Sequence, residues 1–357
     1  MSMKIKIKDI AYLAGVSPAT VSLALNNKGR ISNSTRQRIL DVATQYAYIS
    51  EENRNENSSQ RNSTELNSAV THTDIKTLAI LSHHTFPSYS SGIKKQFFHE
   101  LCDAIQEEAM RAGYRTSVSL LENSEYERVN PDAFDGFIIF ASTLSSQELE
   151  RLVEPLLMAH KPFVICDKYF NDLPFDFVVS DNWYGGYLAG SYIAAQGYKN
   201  VGYFRCDVRL DNLEKRHLGF VAALREAGLQ LDPQNVYTLS ADSQKCHREI
   251  MDLVASGRKF PQAVFAETDY LAIDTIQALT SCGISVPEDV SIIGFDNIHS
   301  SSLVHPALTT IGVHKGAMAN TIISRINVKI RDPQNPPQKI ITSVHIVERD
   351  SFRKNVL

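Results

Sequence analysis

DIAYLAGVSPATVSLALNNKGRISNSTRQRIL occupies residues Asp9–Leu40. Ile10, Leu13 and Ala14 fall at i, i+3 and i+4, on one face of a first helix over Lys8–Ala14. Gly15 supplies a turn. Ser17 is placed to cap a second helix, and Pro18 takes its first position, where a missing N–H costs nothing. That helix runs to about Leu25, with Val21, Ala24 and Leu25 turned inward. A third helix is expected from Ser34, with Gln37 completing a capping box and Ile39, Val42, Ala43 and Tyr46 at helical spacing. A plain three-helix bundle fits this pattern. The small residues Ala11 and Gly15, which allow close helix crossing, and the polar Thr20, Ser22 and Asn26 along the second helix favour a helix-turn-helix. In that motif the second helix enters the major groove of DNA.

Charge supports the same reading. Residues 1–50 carry seven Lys or Arg against two acids, a net +5, which leaves −9 to the rest of a chain whose net charge is −4. A basic head on an acidic body suits a head that approaches phosphates. No stretch has the length and apolarity of a signal peptide or membrane span, and the five cysteines form no Cys-x-x-Cys pair. A cytoplasmic protein with free thiols is expected.

Beyond the head, residues 50–75 are polar and rich in Asn and Ser. They bury too little apolar surface to offset ordering entropy and read as a linker. Residues 76–357 alternate short apolar runs (Thr77–Leu81, Gly136–Phe140, Phe163–Cys166, Phe177–Val179, Asn200–Phe204, Ala263–Ala266, Val290–Gly294) with helical segments such as Phe97–Ala112, Tyr184–Gln196, Arg216–Ala227 and Tyr270–Cys282. Such runs suit strands covered on both faces, and alternation with helices predicts parallel sheets with right-handed crossovers. The units are too many for one sheet, so two Rossmann-like lobes are expected: one over about 76–180 and 310–337, the other over about 181–309 and 338–357. A small molecule would bind between them.

The segment quoted first closely resembles the head of the lactose-repressor/galactose-repressor (LacI/GalR) family. DGFIIFA at Asp135–Ala141, VVSDNWYGGYLAG at Val178–Gly190, VPEDVSIIGFDN at Val286–Asn297 and HPALTTI at His305–Ile311 extend the resemblance through the core. The core is equally similar to periplasmic sugar-binding proteins. The resemblance implies base-reading roles for Pro18, Ala19 and Leu23. It implies phosphate contacts from Thr20, Ser22 and Asn26, with Ser17 as cap. Leu23 departs from the polar reader common at that position: Leu can touch a thymine methyl but cannot make the bidentate contacts that read guanine. After Tyr48 and Ile49 the family's hinge helix, with its apolar wedge for the minor groove, is missing. Either it is displaced to Ser63–Val70, with Leu66 as wedge, or the linker is a flexible tether.

In the core the resemblance implies effector contacts from Arg216, in the RHLGF run, and from Asp167 and Asp296 just past strands. Thr268 stands where relatives carry Asn. Phe97, Phe98 and Trp183 are candidates to stack on a sugar, with plain core packing as the alternative. No Gly-x-Ser-x-Gly, phosphate-binding loop or Gly-x-Gly-x-x-Gly occurs. His83 and His84 are adjacent, and His99-Glu100 lacks the second histidine of a zinc-protease motif. The sequence thus predicts a homodimeric transcription regulator, a repressor by what the resemblance implies, that binds operator DNA and a small-molecule effector such as a sugar, with no cofactor, catalytic residue or metal. A solute-binding protein and a sugar-processing enzyme are the alternatives.

Overall fold

The computed structural model describes residues 11, 16–25, 32, 35, 36, 39, 76–83, 96–121 and 129–354. The chain forms two compact units, 1–72 and 73–357. In the first, helix α1 spans Pro18–Leu25. The Ser17 hydroxyl accepts from Thr20 N–H at 3.1 Å, the cap its position predicts. Val21 and Ala24 are buried, as are Ala11 and Ile39, while Ser17, Pro18 and Leu23 are exposed. Ahead of the third helical segment the Ser32 hydroxyl accepts from Thr35 N–H at 3.2 Å. Arg36 then donates to the Ala24 carbonyl at 2.9 Å. The Ser34–Gln37 box, Asn26, the side chain of Ala19 and the whole linker with Leu66 lie outside the described residues.

The second unit holds two six-stranded sheets. In chain order its elements are β1 Thr77–His83, α2 Gln96–Arg111, β2 Arg115–Leu121, β3 Gly136–Phe140, α3 Ser146–Met158, β4 Phe163–Cys166, β5 Phe177–Ser180, α4 Asn182–Ala195, β6 Val201–Cys206, α5 Asp211–Glu226, β7 Val236–Leu239, α6 Ser243–Ala255, β8 Ala263–Ala266, α7 Asp269–Ser281, β9 Ser291–Asp296, β10 Thr309–Val313, α8 Lys315–Arg331, β11 Lys339–Thr342 and β12 Val344–Val347. The first sheet runs β11-β5-β4-β3-β1-β2 and is parallel throughout. The second runs β12-β10-β9-β8-β6-β7 and is parallel except for the antiparallel edge strand β12. Strands β3, β4, β5, β8 and β9 are buried along their whole length, which is why they read as unbroken apolar runs.

The chain first passes from one sheet to the other at Asp181, between β5 and α4, and two further crossings follow. β10 pairs with β9 through Thr309↔Ile293 and belongs to the second sheet. β11 pairs with β5 through Lys339↔Phe177 and belongs to the first. The chain therefore crosses after Val313 and returns after Thr342. A strand that keeps its backbone hydrogen bonds with a neighbour stays in that lobe, and the pairing register cannot be read from one strand alone.

Candidate functional site

The site is built at the carboxyl ends of the strands, where the two lobes face each other. Asp167 follows β4 of the first lobe and Asp296 closes β9 of the second. Both lie at positive φ, +72° and +115°. A non-glycine residue in that region is uncommon, and such strain gathers at ligand sites.

Between them stands Arg216 of α5, buried to 3 % exposure. Its Nε donates to Asn182 Oδ1 at 2.9 Å, one Nη to the Glu267 carbonyl at 2.7 Å and the other to Asp296 Oδ1 at 2.9 Å. The guanidinium carbon lies 3.6 Å from the centroid of the Phe295 ring. Three segments, α4, the residue after β8, and β9, thus fix one planar cation. Asp167 faces this cluster from the other lobe and accepts from the Ser142 hydroxyl. Burial raises the Asp167 carboxyl above its ordinary range, offset by Ser142 and by the Arg216 charge. Burial also raises Asp296, against the pull of Arg216 and Lys315.

Two glycines place Arg216. A Cβ on Gly186 would stand 1.9 Å from the Arg216 carbonyl oxygen, and one on Gly219 1.8 Å from that of Trp183. α4 and α5 therefore pack backbone to backbone, and the Gly-Gly of VVSDNWYGG and the Gly of RHLGF are what permit it.

Beneath lies a second buried set. Glu267 accepts from Arg209 at 2.8 and 2.9 Å, from Tyr203 OH at 2.9 Å and from Cys206 N–H at 2.7 Å. Asp269 accepts from Thr310 at 2.5 Å and from Ile298 N–H at 3.0 Å. Burial, then the Asp296 charge, pushes the Asp269 carboxyl up to about 8. Lys315 joins the lobes: its ammonium donates to the carbonyls of Asp296 and Asn297 at 2.8 and 2.9 Å and pairs with Glu100 of α2 at 3.1 Å.

A cavity of about 110 Å³ lies on the Asp167 and Asn182 side of the Arg216 cluster, lined also by Lys168, Tyr169, Trp183 and Asn212 but not by Arg216 or Asp296. Trp183 is 44 % exposed and stacks on Tyr187 with centroids 5.5 Å apart.

The structure thus brings Asp167, Arg216 and Asp296 together and sets Trp183 at the cavity wall. Thr268 caps α7 through Leu271 N–H at 3.2 Å. Phe97 packs into the core, with its N–H on Tyr270 OH at 2.6 Å. Phe98 packs edge-on against Phe140, with centroids 4.7 Å apart. Sequence reasoning missed Asn182, Glu267 and Lys315. Asn182 lay inside a motif already quoted, while nothing in the sequence pairs Glu267 with Arg209. Among the described residues no three His, Cys, Asp or Glu side chains cluster to hold a metal, and no helix is long and apolar enough to cross a membrane.

Residues 6–51 match the family of bacterial regulatory proteins, lacI family, and residues 191–352 match the periplasmic binding protein-like domain. The HTH-type transcriptional regulator DegA of Bacillus subtilis is 30 % identical over 358 residues, spanning 98 % of both chains. The chain belongs to the lacI family. The HTH-type transcriptional repressor PurR of Mannheimia succiniciproducens is another relative of this lacI-family chain, 26 % identical over 98 % of both. A LacI family transcriptional regulator from Enterococcus faecium, solved with bound ribose, superposes with a TM-score of 0.66 at 25 % identity, covering 78 % of this chain and 99 % of that one. This lacI-family protein is accordingly a DNA-binding transcription regulator with an effector-binding core, and not an enzyme.

Proposed function

We propose that the chain is a cytoplasmic repressor that binds a two-fold operator as a homodimer, under the control of an uncharged sugar held between the lobes. The observation that carries the effector reading is Arg216, fixed on three sides and facing Asp167 across the cleft. In this reading Arg216, Asp296 and Asp167 contact ligand hydroxyls, Trp183 walls the mouth, and Thr268 and Phe97 hold the elements behind. Charge narrows the ligand. Among the described residues each cation near the cavity is engaged: Arg216 by Asp296, Lys315 by Glu100, Lys215 by Asp211 at 2.6 Å, and Lys168 by the Leu144 carbonyl at 2.6 Å. Asp167 has a hydroxyl partner but, among the described residues, no ion pair, so the site favours hydrogen-bond donors over anions. The ribose bound by the Enterococcus faecium regulator supports a sugar.

In the head, Pro18, Ala19 and Leu23 read base edges, while Thr20, Ser22 and Asn26 meet phosphates and Ser17 caps the helix. One such helix reads half a site, which is the argument for the dimer.

A thermal-shift screen over neutral sugars, their uronate and phosphate derivatives, and nucleosides tests the effector. A ligand at 100 times its dissociation constant adds about 2.7 kcal/mol of stability. Neutral sugars are expected to stabilise the protein and to change gel shifts on operator selected from random-site DNA. Stabilisation by an anionic derivative alone would overturn the charge argument.

A further inference from the structure

The chain passes between the lobes at Asp181, His314 and Ser343 among the described residues. Two of these crossings carry an imidazole. His314 leaves β10 and heads α8, without using its side chain as a cap. His345 lies in β12, two residues past the return crossing and opposite Gly312. The two rings stack face to face, with centroids 4.1 Å apart and planes 16° from parallel. Gly312 makes the room: a Cβ there would stand 2.7 Å from His345 Cε1. His345 Nδ1 is buried and has no hydrogen-bond partner among the described residues.

We propose that the stacked His314–His345 pair is a pH-sensitive latch on the hinge. With both rings neutral it holds the two crossings together. With both rings protonated, two like charges about 4 Å apart drive the crossings apart and loosen the lobe arrangement that positions Arg216 between Asp167 and Asp296.

The surroundings do not relieve that repulsion. Neither ring is in an ion pair among the described residues. From β10, His345 faces the Gly312 carbonyl, which favours the charged form. From α8 comes the Lys315 ammonium, itself bound to Glu100 and two carbonyls. The carboxylate of Glu348, beyond β12, is taken by Lys354 and by Tyr192 of α4. Burial first, and then His314, hold the His345 imidazole below its ordinary value. A group held this way disfavours the closed state only as pH falls below the ordinary histidine range, about 6.5.

The test is hydrogen exchange on the full-length protein at pH 7.5 and 5.5, corrected for intrinsic rates and read on peptides covering 312–318 and 342–347. An opening that takes up one extra proton grows up to about tenfold per pH unit. Wild type should therefore lose protection at these peptides several-fold more than elsewhere in the core at pH 5.5. His314→Gln, at an exposed ring, should reduce that loss, and His345→Gln should abolish it. The proposal is overturned if wild type shows no acid-specific loss at these peptides, or if His314→Gln matches wild type at both pH values.

Discussion

Arg216 Nη donates to Asp296 Oδ1 at 2.9 Å across 80 residues of chain, and both side chains are about 95 % buried. A pair this deep gains little net stability by existing, but breaking it strands a charge. Arg216→Ala should destabilise the core by about 3–5 kcal/mol in urea unfolding. Asp296→Asn keeps shape and an acceptor. It should weaken effector binding by roughly ten- to a hundredfold, the equivalent of about 1.5–3 kcal/mol, while DNA binding without effector persists. Calorimetry finding unchanged effector affinity in the Asn variant would remove Asp296 from the site.

Gly186 and Gly219 make a sharper test of the α4–α5 contact. Alanine at either position puts a Cβ under 2 Å from a backbone carbonyl oxygen, and neither backbone can yield without moving Arg216. Each variant should lose at least about 2 kcal/mol, in the range of overpacked cores, and lose effector response with it. A variant that keeps wild-type stability would mean that the helices are farther apart than described.

Asp269 supplies a pH signature opposite in sign to that of the histidine pair. Its carboxyl, raised to about 8 in the fold, keeps a proton that the unfolded chain releases near 4. The folded state therefore binds more protons through this window, and the group's contribution to stability falls as pH rises from about 4 to 8. Comparing wild type with Asp269→Asn in urea at pH 5.5 and 7.5 isolates it. The stability gap in favour of wild type should be larger at pH 5.5, and a gap that widens toward pH 7.5 contradicts the assignment.

Removing residues 1–49 should abolish DNA binding and leave the core folded, since the chain divides into units 1–72 and 73–357. The linker is settled by a series of operators with altered half-site spacing, bound by wild type and Leu66→Ala. If the segment is a flexible tether, added base pairs are tolerated and the substitution is silent. Sharp dependence on spacing together with a large mutant effect would make Leu66 a minor-groove wedge.

The sequence by itself determined every element whose signal is local. Ser17 and Pro18 start the recognition helix because capping is a matter of a few adjacent residues. Unbroken apolar runs such as Phe137–Phe140 announce strands buried on both faces, since no polar face interrupts them. Arg216 stands in the RHLGF run, Asp296 in VPEDVSIIGFDN and Asp167 just past the run Phe163–Cys166, which is why the sequence points to them as candidates. The sequence does not announce the strands β2, β7, β10, β11 and β12: β2, β7, β11 and β12 are short or half-exposed and break the apolar run, and β10 sits inside a motif without a boundary signal of its own. Only the tertiary structure decided which lobe β10 and β11 join, because pairing joins residues far apart in the chain. It alone set Glu267 against Arg209 and stacked His314 on His345. Each is a contact between distant segments whose energy depends on burial and distance, and neither quantity exists until the two lobes are folded.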